Sequence, residues 1–137
     1  MMASLVRQLM TLLPEELPDD APDLSAIRFG RLDGTLRTWE EMLQVFADLL
    51  SLAPPDLLVV LDGLDRLDSQ YTSSRTEQLV TVICRRVDRL ATADAGVMKV
   101  LLTTAGHCRG VVPCLRPGEH FVREEIGGRR RATFMDL

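Results

Sequence analysis

The residues best placed to do chemistry are three acids, Asp62, Asp65 and Asp68. They close the stretch Leu57-Leu58-Val59-Val60-Leu61-Asp62-Gly63-Leu64-Asp65-Arg66-Leu67-Asp68. Five apolar residues run straight into carboxylates set three apart. An aspartate in such a place holds a Mg²⁺ ion, usually through water, when a nucleotide phosphate supplies further ligands. The plainer alternative is a turn with solvated acids, because Asp-Gly is a good turn former. A buried strand that delivers three acids in seven residues is unusual for a turn alone.

The element that must position these acids is a strand. The apolar run is short, partly β-branched and bounded by Pro54-Pro55 and Gly63, which predicts a strand near 57–62 buried on both faces. The acids then lie at its carboxyl end, where ligands bind in open α/β sheets. This is the form of a Walker B element. Its usual companion, the phosphate-cradling loop G-x-x-x-x-G-K-[ST], is not found in these 137 residues.

Other reactive side chains carry weaker signals. His107, Cys108, Cys114 and His120 match no familiar zinc spacing, and Pro113 and Pro117 constrain the loop between them, so ordinary thiols are the expectation. No histidine and carboxamide arrangement marks a cysteine nucleophile. Arg129-Arg130-Arg131 has no interleaved aromatic residues and reads as a solvated run in a mobile basic tail, residues 127–137.

Periodicity supplies the remaining elements. Met2, Leu5, Val6, Leu9, Leu12 and Leu13 predict an amphipathic helix near 3–13, ended by Pro14 and Pro18. Residues 14–37 read as a loop with a short extended piece at 26–29. Thr38 and Glu41 form a capping-box pattern for a helix near 38–52, and Ser74 with Glu77 does the same for a helix near 74–91. Residues 97–102 predict a second buried strand, ending at Thr103-Thr104. A third, weaker strand is expected near 120–126. Strand, helix, strand implies a parallel sheet with a right-handed crossover. The fold class is therefore α/β, three-layered, with a mainly parallel sheet.

Composition bounds the function classes. The chain is 46% apolar with only 4% aromatic residues, so it is globular with an aliphatic core. A net charge of −4 gives no general attraction to nucleic acid or anionic membrane. No apolar run is long enough to span a bilayer. Three cysteines, an odd number with no disulfide framework, suit a reducing cytoplasmic compartment.

At the level of element order and motif, the chain resembles the central part of a STAND-class P-loop NTPase of the NACHT type, as in the NLR-like proteins of fungi. Three segments carry the resemblance. Ser4-Leu5-Val6-Arg7-Gln8-Leu9 to Pro14 looks like the helix after the family's second strand. Residues 57–68 match its Walker B form, an aspartate followed by glycine, an apolar residue and a second acid. Lys99-Val100-Leu101-Leu102-Thr103-Thr104-Ala105-Gly106 looks like its sensor 1 strand and turn.

The resemblance implies roles. Asp62 would hold the Mg²⁺ shell. Asp65 would orient or deprotonate an attacking water. Thr103 or Thr104 would face the terminal phosphate. ATP or ADP with Mg²⁺ serve the parent family, but no cofactor is expected for this chain alone, because its phosphate loop is lacking. Arg66 also departs from the family, standing where many members carry a further acid. The expectation is thus a partial NACHT/STAND-type domain over residues 1–126, a fragment or degenerate copy of a nucleotide-dependent signalling switch. The alternative is a non-catalytic α/β interaction module. The expected partners are the missing N-terminal part of the domain or another protein, with self-association through an open sheet edge, and neither nucleic acid nor membrane.

Overall fold

The computed structural model of the chain describes residues 1–67, 69, 71–105, 108–115, 122–126 and 129–133. Four α-helices and four strands appear among them: α1 (Met2–Met10), α2 (Ala26–Gly30), α3 (Trp39–Leu52), β1 (Leu57–Leu61), α4 (Ser73–Ala93), β2 (Met98–Leu102), β3 (Val122–Ile126) and β4 (Arg129–Thr133). β1 and β2 pair in parallel, with Leu57 opposite Met98 and Leu61 opposite Leu102. With α4 between them they form a β-α-β unit, and the described fold is mixed α/β.

The core forms where apolar helical stripes meet. α3 presents Val45, Phe46, Leu49 and Leu50, and α4 presents Leu79, Val80 and Ile83, all essentially sealed from solvent. α1 packs on α3 through Met2, Val6 and Leu9, each buried. Leu61 and Met98 bring the sheet into the same cluster. Burial of each such aliphatic side chain contributes about 1.5–3 kcal/mol.

The strands differ from expectation in one respect that matters. They are buried on one face only: Leu58 is 63% exposed, Val60 49% and Leu101 52%. The helices described here cover the side bearing Leu57, Val59, Val100 and Leu102. Side chains alternate along a strand, so a continuous apolar run still turns half its residues outward when only one layer of helices packs on it.

Local capping also departs from the sequence patterns. Thr38 does not cap α3; its hydroxyl donates to Asp33 Oδ1 at 2.8 Å, inside a 3₁₀ turn over Leu36–Thr38. Thr35 takes the capping role instead, accepting from Arg37 N at 3.2 Å. Ser74 lies inside α4, which begins after Thr72 with no side-chain cap, so the Ser74–Glu77 box does not form. α4 runs on to Ala93 and stops at Asp94, whose φ of 50° takes the left-handed conformation that ends helices. Residues 26–29 are helical rather than extended. Ser25 Oγ accepts from Arg28 N at 3.3 Å, and an Arg28–Asp48 ion pair at 2.7 Å ties α2 to α3.

The third strand also falls elsewhere. β3 does not join the parallel sheet but pairs antiparallel with β4, so residues 129–133 of the expected tail are strand. The register sets Glu124 opposite Arg131 and Glu125 opposite Arg130. Reading the arginines as a solvated run hid this strand. His120 lies outside the described residues.

Candidate functional site

The parallel register brings the ends of β1 and β2 together and carries the pairing one step further. Thr103 N donates to Leu61 O at 2.9 Å, and Thr103 O accepts from both Gly63 N and Leu64 N at 3.1 Å. Gly63 makes this turn at φ 71°, a conformation that L side chains rarely adopt. Leu64 is fully buried and pins the 3₁₀ turn Leu64–Leu67 to the core. A strand that ends in a fixed turn holds its acids in place.

Two carboxylates tie the β1 turn to the β2 turn. Thr103 Oγ1 donates to Asp62 Oδ1. Ala105 N donates to Asp65 Oδ1 at 2.8 Å. Asp62 is exposed and Asp65 half-buried. The second oxygen of each carboxylate accepts no hydrogen bond among the described residues, which leaves a coordinating or accepting lone pair on both. The Thr103 hydroxyl also receives a long contact from Gly63 N at 3.4 Å. Its one proton is therefore committed to Asp62.

The structure thus brings Asp62, Asp65 and Thr103 together at the carboxyl end of a parallel pair. It separates the two threonines: Thr104 is exposed and its hydroxyl makes no hydrogen bond among the described residues. Asp68, Gly106 and His107 lie outside those residues. Sequence reasoning missed the partners that fix the site, namely the Ala105 amide and the buried Leu64. The alternation of apolar Leu64 with acids at 62 and 65 was the available signal for an anchored turn.

Cys114 sits elsewhere, against α4, with its thiol 3.5 Å from Thr81 Oγ1 and 3.6 Å from Glu77 O. Cys108 is buried. Cys84, Cys108 and Cys114 form no disulfide among the described residues. Among the described residues, no group of three or more histidine, cysteine or carboxylate side chains is gathered for a metal ion. Any Mg²⁺ at Asp62 would need ligands from water and phosphate.

No family model matches the chain, and no curated protein or solved structure matches it either. Among the described residues, no helix is long and apolar enough to cross a membrane.

Proposed function

We propose that this chain carries the acid and sensor half of a nucleotide-dependent switch of the STAND/NACHT type, with ATP or ADP and Mg²⁺ as its ligands in a cytoplasmic setting. The supporting observation is the in-register parallel pairing of β1 and β2, which sets Asp62 and Asp65 beside Thr103 at one end of the sheet. Asp62 would hold the water shell of Mg²⁺ through its free oxygen. Asp65, fastened to the Ala105 amide, would orient a water on the phosphate side. Thr103 would be the sensor: with its proton on Asp62, it reports a terminal phosphate only by giving up that bond. Such an exchange couples ligand charge to the link between the two strand ends.

The phosphates themselves need a loop of backbone amides and a lysine, and no such motif occurs in these residues. Phosphoryl transfer depends on positioning and charge stabilisation. The chain alone is therefore expected to turn over ATP negligibly, and the phosphate loop would come from a segment outside this sequence. The test is turnover with Mg²⁺ and ATP, for the chain and for Asp62→Ala. Background rates in both fit the proposal. A clear rate abolished by Asp62→Ala would mean that the phosphates are held by residues of this chain.

A second reading, a non-catalytic interaction module, is favoured by one observation: the aliphatic sheet face left open by the helices.

A further inference from the structure

Two of the cysteines meet across a packed seam. Cys84 lies within α4, and Cys114 closes a 3₁₀ turn over Val112–Cys114. Their contacts are reciprocal. The Cys84 thiol donates to the Cys114 carbonyl oxygen at 3.9 Å, and the Cys114 thiol lies 3.5 Å from Thr81 Oγ1. Thr81 and Cys84 are three apart on one helix, so their Cβ atoms are neighbours at about 5–6 Å. Each sulfur therefore touches the other cysteine or its neighbour on the same helical row. Both thiols are half-buried, whereas Cys108 is buried. The seam is anchored nearby as well. Val111 is buried. At Gly110 the chain runs so close to α4 that a Cβ would lie 2.5 Å from Ser73 O and 2.8 Å from Thr76 Cβ. Residues 108–115 are thus seated on α4 at two points, Gly110 over its first turn and Cys114 further along.

We propose that Cys84 and Cys114 form a reversible intrachain disulfide, a redox-sensitive latch that fastens residues 108–115 to α4. Closing it asks for a turn of both side chains about χ1 and a small shift of the 3₁₀ turn, because a disulfide holds its Cα atoms about 4.4–6.8 Å apart. The oxidant is a low-molecular-weight disulfide such as oxidised glutathione. One cysteine loses its proton to solvent and attacks a sulfur of the oxidant. The oxidant's S–S bond breaks, a mixed disulfide forms and the first glutathione leaves as thiolate. The second cysteine, likewise deprotonated, attacks the protein sulfur of the mixed disulfide. The Cys84–Cys114 bond forms and the second glutathione leaves. The chain gives up two electrons and two protons, and the oxidant becomes two reduced thiols. In a reducing compartment such a bond is transient and redox-sensing. The latched segment follows closely on the β2 turn that carries Thr103 and Ala105. No residue of the acid site takes part in the step, so the proposal stands apart from the nucleotide reading.

The full 137-residue chain is treated with oxidised glutathione, alkylated and digested with trypsin. Mass spectrometry should find one peptide pair joined through Cys84 and Cys114, in a chain that stays monomeric on a non-reducing gel. Dithiothreitol should restore both thiols. The latch closes a loop across thirty positions, so the oxidised chain should melt at least about 5 °C above its reduced form. Cys84→Ser and Cys114→Ser should each remove the joined pair and the gain in melting temperature. Cys108→Ala, compared with its own reduced form, should keep both. Failure to join, joining through Cys108, or a bond only between two chains would overturn the proposal. So would a Cys84–Cys114 bond that leaves the melting temperature unraised, since it would then form at the expense of the fold rather than within it.

Discussion

The helical layer and the sheet are built from the same aliphatic residues and meet opposite fates. Leu49, Leu79 and Ile83 are sealed completely, whereas Leu58, Val60 and Leu101 stand half or more in water. Residue type is the same, so coverage decides. α3 finds α1 on one side and α4 on another, and each stripe meets a stripe. Among the described residues the strands meet helices on the face of Leu57, Val59 and Leu61 and leave Leu58, Val60 and Leu101 exposed. The carboxyl end of the sheet differs again, because polar bonds between the two turns join it beside the buried Leu64.

The largest test of this contrast compares Phe46→Ala with Leu58→Ala. Phe46 is 2% exposed, and its truncation should cost about 3–5 kcal/mol in urea denaturation. Leu58→Ala should stay within about 0.5 kcal/mol, as at an ordinary surface position. Equal losses would show that the outer face is covered in solution.

The seam at the start of the two strands comes next. Gly96 has φ +138°, and a Cβ there would lie 2.5 Å from Pro55 Cβ. Gly96→Ala should cost about 1–3 kcal/mol through backbone strain and that clash, again read by denaturation. A neutral result would mean that this turn relaxes freely and does not set the register.

At the opposite end, Asp65→Ala removes one acceptor from the Ala105 amide and should cost about 1 kcal/mol. A double-mutant cycle of Asp62→Ala with Thr103→Val should give a coupling of similar size, about 1 kcal/mol. Additive losses would mean that the two turns are not joined through that bond.

The smallest effect is a titration. Asp33 accepts from Thr35 N and from Thr38 Oγ1, each at 2.8 Å. The Thr35 hydrogen bonds, then the one from Thr38, hold its carboxyl below the ordinary aspartate range. A depressed folded-state value favours the folded loop above the unfolded value, and this contribution disappears as pH falls through the folded one. Carbon-detected NMR of Asp33 should show the lowered value in the native chain, rising part of the way toward the ordinary range in a Thr35→Ala, Thr38→Val variant, whose residue-35 amide still donates to the carboxylate.

Much of this was legible from the residues. Helical periodicity located α1, α3 and α4, because a stripe at 3.6-residue spacing has one satisfactory partner, another stripe. The strand ending at Asp62 and its companion ending at Thr103 were readable from short apolar runs broken by Gly and polar residues. Burial of those strands was not, since a continuous apolar run specifies the strand and not the number of layers that cover it. Capping failed at Thr38 because its hydroxyl bonds Asp33, and at Ser74 because α4 begins at Ser73 and takes Ser74 inside the helix. The β3–β4 hairpin was missed because the arginines of β4 read as a solvated run rather than as a strand.

The central claim is that Asp62 belongs to a Mg²⁺-nucleotide site completed by a phosphate loop. Its most direct test is Mg²⁺-dependent binding of a fluorescent ATP analogue to the chain co-expressed with a segment bearing a strand and a G-x-x-x-x-G-K-[ST] loop. Binding should require Mg²⁺ and weaken at least about tenfold with Asp62→Ala, while Leu58→Ala leaves it unchanged. Binding that ignores both Mg²⁺ and Asp62→Ala would contradict the account and leave the acids as a structural tie between two strand ends.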